Sequence, residues 1–241
     1  MPRRSAPRND LPAFTLAEVL ITLGVIGVVA ALTIPTLLSK YDKHVTETRL
    51  KKFYSIISNA IKLSEDENGE MYSWTFPSEN YDSNIVPFFR KYYLPYLNVA
   101  GECNHPNCFS KENYVFSQMN GVKADGIVYT GYIVKLIDGT YIYFLPNTPN
   151  GYLWLYVDIN GRKKPNIIGR DIFIFDIYSY PNNGVQSNYR LKFWGNHLES
   201  EERLYAESNY GCNKSSPEFA GFYCGELIFR NGWKIPDNYP W

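Results

Sequence analysis

From Val19 to Leu38 the chain carries no charged residue in 20 consecutive positions. As a helix, at about 1.5 Å per residue, such a stretch reaches across the roughly 30 Å hydrocarbon core of a bilayer. Backbone polar groups in that setting must be satisfied internally, so helix is the conformation open to it. One carboxylate, Glu18, stands at the N-terminal edge of the run, within Ala13-Phe14-Thr15-Leu16-Ala17-Glu18. Three arginines, Arg3, Arg4 and Arg8, precede it.

Three ordinary readings explain parts of this pattern. A secretory signal peptide has a shorter apolar core, of about 7–15 residues, cut after small residues. Val29-Ala30-Ala31 offers such a cut, but this run is too long and carries Glu18. A plain single-span anchor with its basic end in the cytoplasm fits the arginines, yet leaves Glu18 unexplained. A buried core helix is normally shorter. A short basic leader, then Phe-Thr-Leu-x-Glu, then an apolar run resembles type IV prepilins and type II secretion pseudopilins. The resemblance is strong over Ala13 to about Glu67 and looser beyond.

That resemblance implies a specific life history. A prepilin peptidase cuts between Ala13 and Phe14 on the cytoplasmic side, and the new amino group of Phe14 is N-methylated. Glu18 then pairs with the terminal amine of a neighbouring subunit and sets axial register. The physical motive is clear, because an unpaired charge at mid-membrane costs about 2.5–3.5 kcal/mol. Ala13 departs from the Gly usual before the cut, which implies slower processing. The implied partners are other pilin-like subunits, the peptidase, an inner-membrane assembly platform and membrane lipid. The implied location is a bacterial inner membrane, with the N-terminus cytoplasmic and the head outside. From there the subunit passes into a periplasmic or cell-surface filament.

Composition narrows the remainder. The chain has 241 residues, enough for an anchor and one globular domain. Lys+Arg and Asp+Glu are both 24, and without Met1 to Ala13, which hold three Arg and Asp10, 21 and 23 remain. No nucleic-acid partner is indicated by that balance. With 21 Tyr, 14 Phe and 5 Trp, the composition favours strands. Cysteines form two local pairs, Cys103/Cys108 and Cys212/Cys224. An even count behind a membrane-targeting segment suggests disulfides in an oxidising compartment. Three connectivities are open, and the local one, which closes the smallest loops, is expected. A zinc site would need further ligands such as His105, and the chain has no CxxC pair.

Along the chain, a leader at 1–13 precedes the membrane and assembly half of a long helix at 14–38. An amphipathic half follows at 39–68, with Leu50, Phe53, Ile57, Ala60 and Ile61 on one face. Asn68-Gly69 supplies a stop. One helix of this extent is roughly 80 Å long. Pro35 should kink or loosen it, with Thr33 and Thr36 flanking. Gly27 and Ala31 form a small-residue face. Residues 69–130 connect to the sheet and hold a short helical pattern from Ile85 to Tyr96 and the Cys103/Cys108 loop. Residues 131–241 form the sheet and a tail closed at Cys212 and Cys224. Strands are expected at Tyr132–Ile137, Thr140–Leu145, Tyr152–Ile159 and Asp171–Tyr178, the first two joined at Asp138-Gly139. The expected fold is α+β and pilin-like, a long N-terminal helix packed on an antiparallel sheet.

The most distinctive stretch of the head is Asp158 to Asp171, which resembles a D-x-N-G…P-N-x-x-G-x-D signature of pseudopilin-like proteins. Oxygen side chains in a glycine loop suit calcium, with Asp158, Asn160 and Asp171 as ligands. Arg162, Lys163 and Lys164 oppose a cation, and the fifth and twelfth positions, Arg162 and Gly169, lack the carboxylate of an EF-hand. A structural turn with Asp and Asn bonding backbone amides is therefore expected, and no cofactor. The chain lacks a nucleophile elbow, a phosphate loop, a dinucleotide fingerprint and a zinc-protease motif, so no enzyme is expected. The resemblance implies a pilin-like structural subunit of a type II secretion pseudopilus or a type IV pilus. The alternative is a membrane-anchored extracytoplasmic binding module, for a glycan for example, that does not polymerise.

Overall fold

The computed structural model describes residues 14–77, 84–104, 116–124, 132–147, 152–178, 191–206 and 209–241. The chain divides between Lys43 and His44 into two compact units. Helix α1, Leu16–Asn68, has 53 residues and contributes to both. None of its residues before Thr46 is buried. It is helical through Pro35, and the hydroxyl of Thr33 donates to the carbonyl of Val29 at 2.9 Å.

In the second unit, α1 buries the predicted stripe of Leu50, Phe53, Ile57, Ala60 and Ile61. It ends where Gly69 takes φ +80° and its N–H donates to the Glu65 carbonyl at 3.0 Å, a left-handed cap that glycine adopts at least cost. Helix α2, Ile85–Tyr92, sends Phe89 into the core against Tyr132, with ring centroids 4.9 Å apart. The pattern read from Ile85 to Tyr96 breaks at Tyr93, and a 3-10 turn at Leu94–Tyr96 carries Pro95, which cannot continue the hydrogen-bonded helix.

Among the described residues, six strands form one antiparallel meander in sequence order. They are β1 Val99–Asn104, β2 Tyr132–Leu136, β3 Tyr141–Asn147, β4 Tyr152–Asp158, β5 Ile172–Tyr178 and β6 Leu191–Phe193. The four expected strands are β2 to β5. The edge strands β1 and β6 complete the sheet. Two short helices follow, α3 Glu201–Ala206 and α4 Cys224–Arg230.

Both faces of the sheet are buried. One carries Val134, Ile142, Phe144, Leu155, Val157, Phe173 and Phe175, packed with α1, α2 and α4. Phe53 of α1 meets Phe175 at 5.3 Å between ring centroids. The other carries Ile133, Tyr143, Tyr156, Ile172 and Ile174 beneath Phe116, Ala124, Ile168 and Phe222. This explains why β5 reads Ile-Phe-Ile-Phe-Asp-Ile-Tyr rather than alternating apolar with polar.

Candidate functional site

The N-terminal segment and the Asp158 to Asp171 loop are the two features to which chemistry points. Thr15 caps α1. Its hydroxyl oxygen accepts from the Glu18 N–H at 3.3 Å, while Glu18 Oε2 accepts from the Thr15 N–H at 2.9 Å and the Thr15 hydroxyl at 2.8 Å. This is a reciprocal capping box, which satisfies helix-end donors that have no partner in the helix ladder. The Thr-x-x-Glu spacing announces it, and the reading of Glu18 as an assembly charge passes over it. Glu18 Oε1 carries no hydrogen bond among the described residues. Phe14 is 87 % exposed and Leu32 73 %, and among the described residues one helix, α1, is long and apolar enough to cross a membrane. Ala13, on the other side of the expected cut, lies outside the described residues.

The head loop is built on two buried carboxylates. Asp158 Oδ1 accepts from the N–H groups of Asn160 and Gly161 at 3.0 and 2.9 Å, and its Oδ2 accepts from Arg162 N–H at 2.7 Å. Asp171 Oδ2 accepts from Asn166 N–H and Asn160 Nδ2, at 2.7 and 2.9 Å, and its Oδ1 from Ile167 N–H at 2.6 Å. Each carboxylate thus ties down a turn, as the structural reading of the motif expects. Gly161 has φ +76°, and a Cβ there would lie 2.4 Å from the Gly139 carbonyl oxygen in the β2–β3 turn. Burial raises the Asp171 pKa to about 6, with nearby Asp158 adding to the rise and the backbone N–H donors opposing it. Among the described residues, no three His, Cys, Asp or Glu side chains converge as a metal site. Asp158, Asn160 and Asp171, the candidate calcium ligands, do come together, with the carboxylates engaged by N–H donors.

This loop meets α1 and the tail. Arg49 Nη1 donates to the Ile159 carbonyl at 3.3 Å, and the Thr46 hydroxyl to the Arg170 carbonyl at 3.4 Å. Arg170 lies over the ring of Trp241 at 4.8 Å, and the Tyr239 hydroxyl donates to the Gly169 carbonyl. Glu47 of α1 accepts from Ile235 N–H at 2.9 Å and Lys234 Nζ at 2.8 Å. Burial alone would raise the Glu47 pKa, but the Lys234 and Ile235 hydrogen bonds and the nearby charges hold it below the usual value. One turn of α1, Thr46 to Arg49, is therefore fastened at once to the loop and to the C-terminal tail.

Cys212 and Cys224 form a disulfide, as the local pairing predicts. Gly169 packs against it, since a Cβ there would meet Cys224 Sγ at 2.8 Å. Cys103 is also disulfide-bonded, at the end of β1, while Cys108 and His105 lie outside the described residues. The N-terminal segment and the loop are distinct features, and sequence spacing alone identifies neither the Thr46–Arg49 junction nor Glu47, whose partners lie nearly 190 positions away.

No curated protein and no solved structure matches this chain. One family profile matches residues 36–241, most of the chain and all of the head. The chain belongs to the family described as Family of unknown function (DUF6613).

Proposed function

We propose that this chain is a pilin-like structural subunit, anchored by α1 in a bacterial inner membrane and drawn from it into a type II secretion pseudopilus or a type IV pilus. The observation that carries the reading is the unburied apolar start of α1 with one carboxylate at its edge. An exposed apolar surface of this size requires lipid or other helices around it. Bilayer lipid meets that need before assembly, and the corresponding helices of neighbouring subunits meet it afterwards.

In this reading the peptidase removes residues up to Ala13, and Phe14 becomes the methylated terminus. The amine of Phe14 on a neighbour approaches Glu18 Oε1, while Oε2 stays with Thr15. A carboxylate that would be costly alone in an apolar layer then gains a cation at matching depth. The capped helix start keeps that carboxylate in one place. The loop and tail brace α1 at Thr46 to Arg49, within the head.

The test is mass spectrometry of the mature N-terminus from native membranes. A chain beginning at N-methylated Phe14 is expected. A start at Met1 or Pro2 would leave a plain anchor, and a start near Leu32 would mean a cleaved signal peptide. Either result overturns the filament reading.

A further inference from the structure

We propose that the head binds a pyranose sugar in the cleft between Tyr54 of α1, the edge strand β6 and Phe229 of α4. The inference rests on the head alone and holds whether or not the chain polymerises. The cavity measures about 270 Å³. Drug-sized ligands occupy pockets of about 300–1,000 Å³, so this one suits a single ring.

One side of the cleft is aromatic. The rings of Tyr54 and Phe193 are parallel within 6° at 6.0 Å, and Phe229 stands 5.7 Å from each. Phe229 is 38 % exposed, so part of its ring is open to a ligand. Its π face carries partial negative charge and attracts the polarised C–H face of a sugar ring.

The other side presents hydrogen-bond acceptors held in fixed positions. Glu226 is 5 % exposed and accepts from Arg230 Nε through Oε1 at 2.7 Å. Arg230 is itself fixed, donating through Nη2 to the carbonyl of Leu198 at 2.7 Å. Glu226 Oε2 carries no hydrogen bond among the described residues. Asn196 donates through Nδ2 to the Phe193 carbonyl at 2.9 Å, which leaves Oδ1 as a second acceptor. Two acceptor-bearing residues in a cleft also lined by aromatic rings match sugar hydroxyls, which donate, on a ring whose C–H face is apolar.

Charge selects against a cationic occupant. The Glu226 carboxylate is already balanced by Arg230, and Lys192 lines the same cleft. A cationic side chain from a partner would find this carboxylate already engaged, whereas a polyhydroxylated ring needs no charge.

The probes are the methyl glycosides of glucose, galactose, mannose and N-acetylglucosamine. Each is titrated against the full chain in a detergent without a sugar headgroup and followed by saturation-transfer NMR. At least one should bind saturably. Phe229→Ala should weaken that binding about tenfold, the loss of one ring contact. Glu226→Gln, which keeps an oxygen for Arg230, should weaken it likewise while the thermal midpoint is retained. No saturable binding by any glycoside, or affinities unchanged in both variants, would overturn the assignment. Tighter binding of N-acetyl-arginine amide than of every glycoside would also overturn it, and would give the cleft to a protein side chain.

Discussion

Burial and hydrogen bonding pull the proton affinity of Asp171 in opposite directions, and burial prevails, with its pKa raised to about 6 from 3.8. The sign of the consequence follows. The folded chain binds a proton that the unfolded chain has released between those two values, so this group adds stability as pH falls from about 6 toward 4 and withdraws it as pH rises. The stability of the natural chain relative to Asp171→Asn should therefore move in its favour between pH 7.5 and 4.5, by on the order of 1–3 kcal/mol. Urea denaturation of both proteins at the two pH values measures it, and a pH-independent difference would refute it. Glu47 works the other way. Its lowered pKa contributes stability that is present above about 4.5 and lost as pH falls below that value. Gly161 gives a purely steric prediction. Ala at this position meets the Gly139 carbonyl oxygen at 2.4 Å and holds φ at +76°, so Gly161→Ala should cost roughly 1–3 kcal/mol by denaturant titration.

At the scale of elements, the Cys212–Cys224 bridge holds the start of α4 beside Gly169 and closes a short loop of separation 12. Constraining the unfolded chain this way contributes roughly 2–4 kcal/mol, so Cys212→Ser with Cys224→Ser should lower the head's unfolding free energy by about that amount. A thermal midpoint within a degree of the natural chain would count against it. Strong local signals made much of this scale readable from the chain. The stripe from Leu50 to Ile61 repeats at three and four, and Asp138-Gly139 sits between two β-branched and aromatic runs. Val99-Ala-Gly-Glu-Cys-Asn has little strand propensity, and it becomes β1 because β2 offers it an edge. The three residues of β6 are too few to show a period, and α4 begins within a cysteine and glycine segment that reads as a loop. The expectation of helix on one sheet face captures the larger of the two core clusters. The second face is covered by residues 116–124 and 219–222, which carry no periodic signal at all. Of the candidate sites, Asp158, Asn160 and Asp171 announced themselves by spacing. The cleft at Tyr54, Glu226 and Phe229 draws on segments far apart in sequence, which only the fold brings together.

At the scale of the whole molecule, the buried residues of α1 begin at Thr46, inside the head unit that starts at His44. A fragment starting at Lys40 should fold without detergent and show cooperative unfolding, whereas the full chain should partition into membranes. An unfolded or aggregated fragment would mean that the run has a structural duty in the head. Assembly makes a sharper demand, because Glu18 serves two roles that mutation can separate. Glu18→Ala removes both the cap and the charge. Thr15→Val removes the hydroxyl of the cap, worth about 1 kcal/mol of helix stability, and leaves the carboxylate available. If pairing with a neighbour's amine sets register, Glu18→Ala should insert in the membrane with a folded head yet fail to enter multimers, while Thr15→Val should still assemble. Chemical crosslinking in native membranes, followed by counting the multimer ladder, reads both variants. Equal loss in the two would assign the effect to the helix cap, and normal ladders in Glu18→Ala would remove the charge from the assembly mechanism.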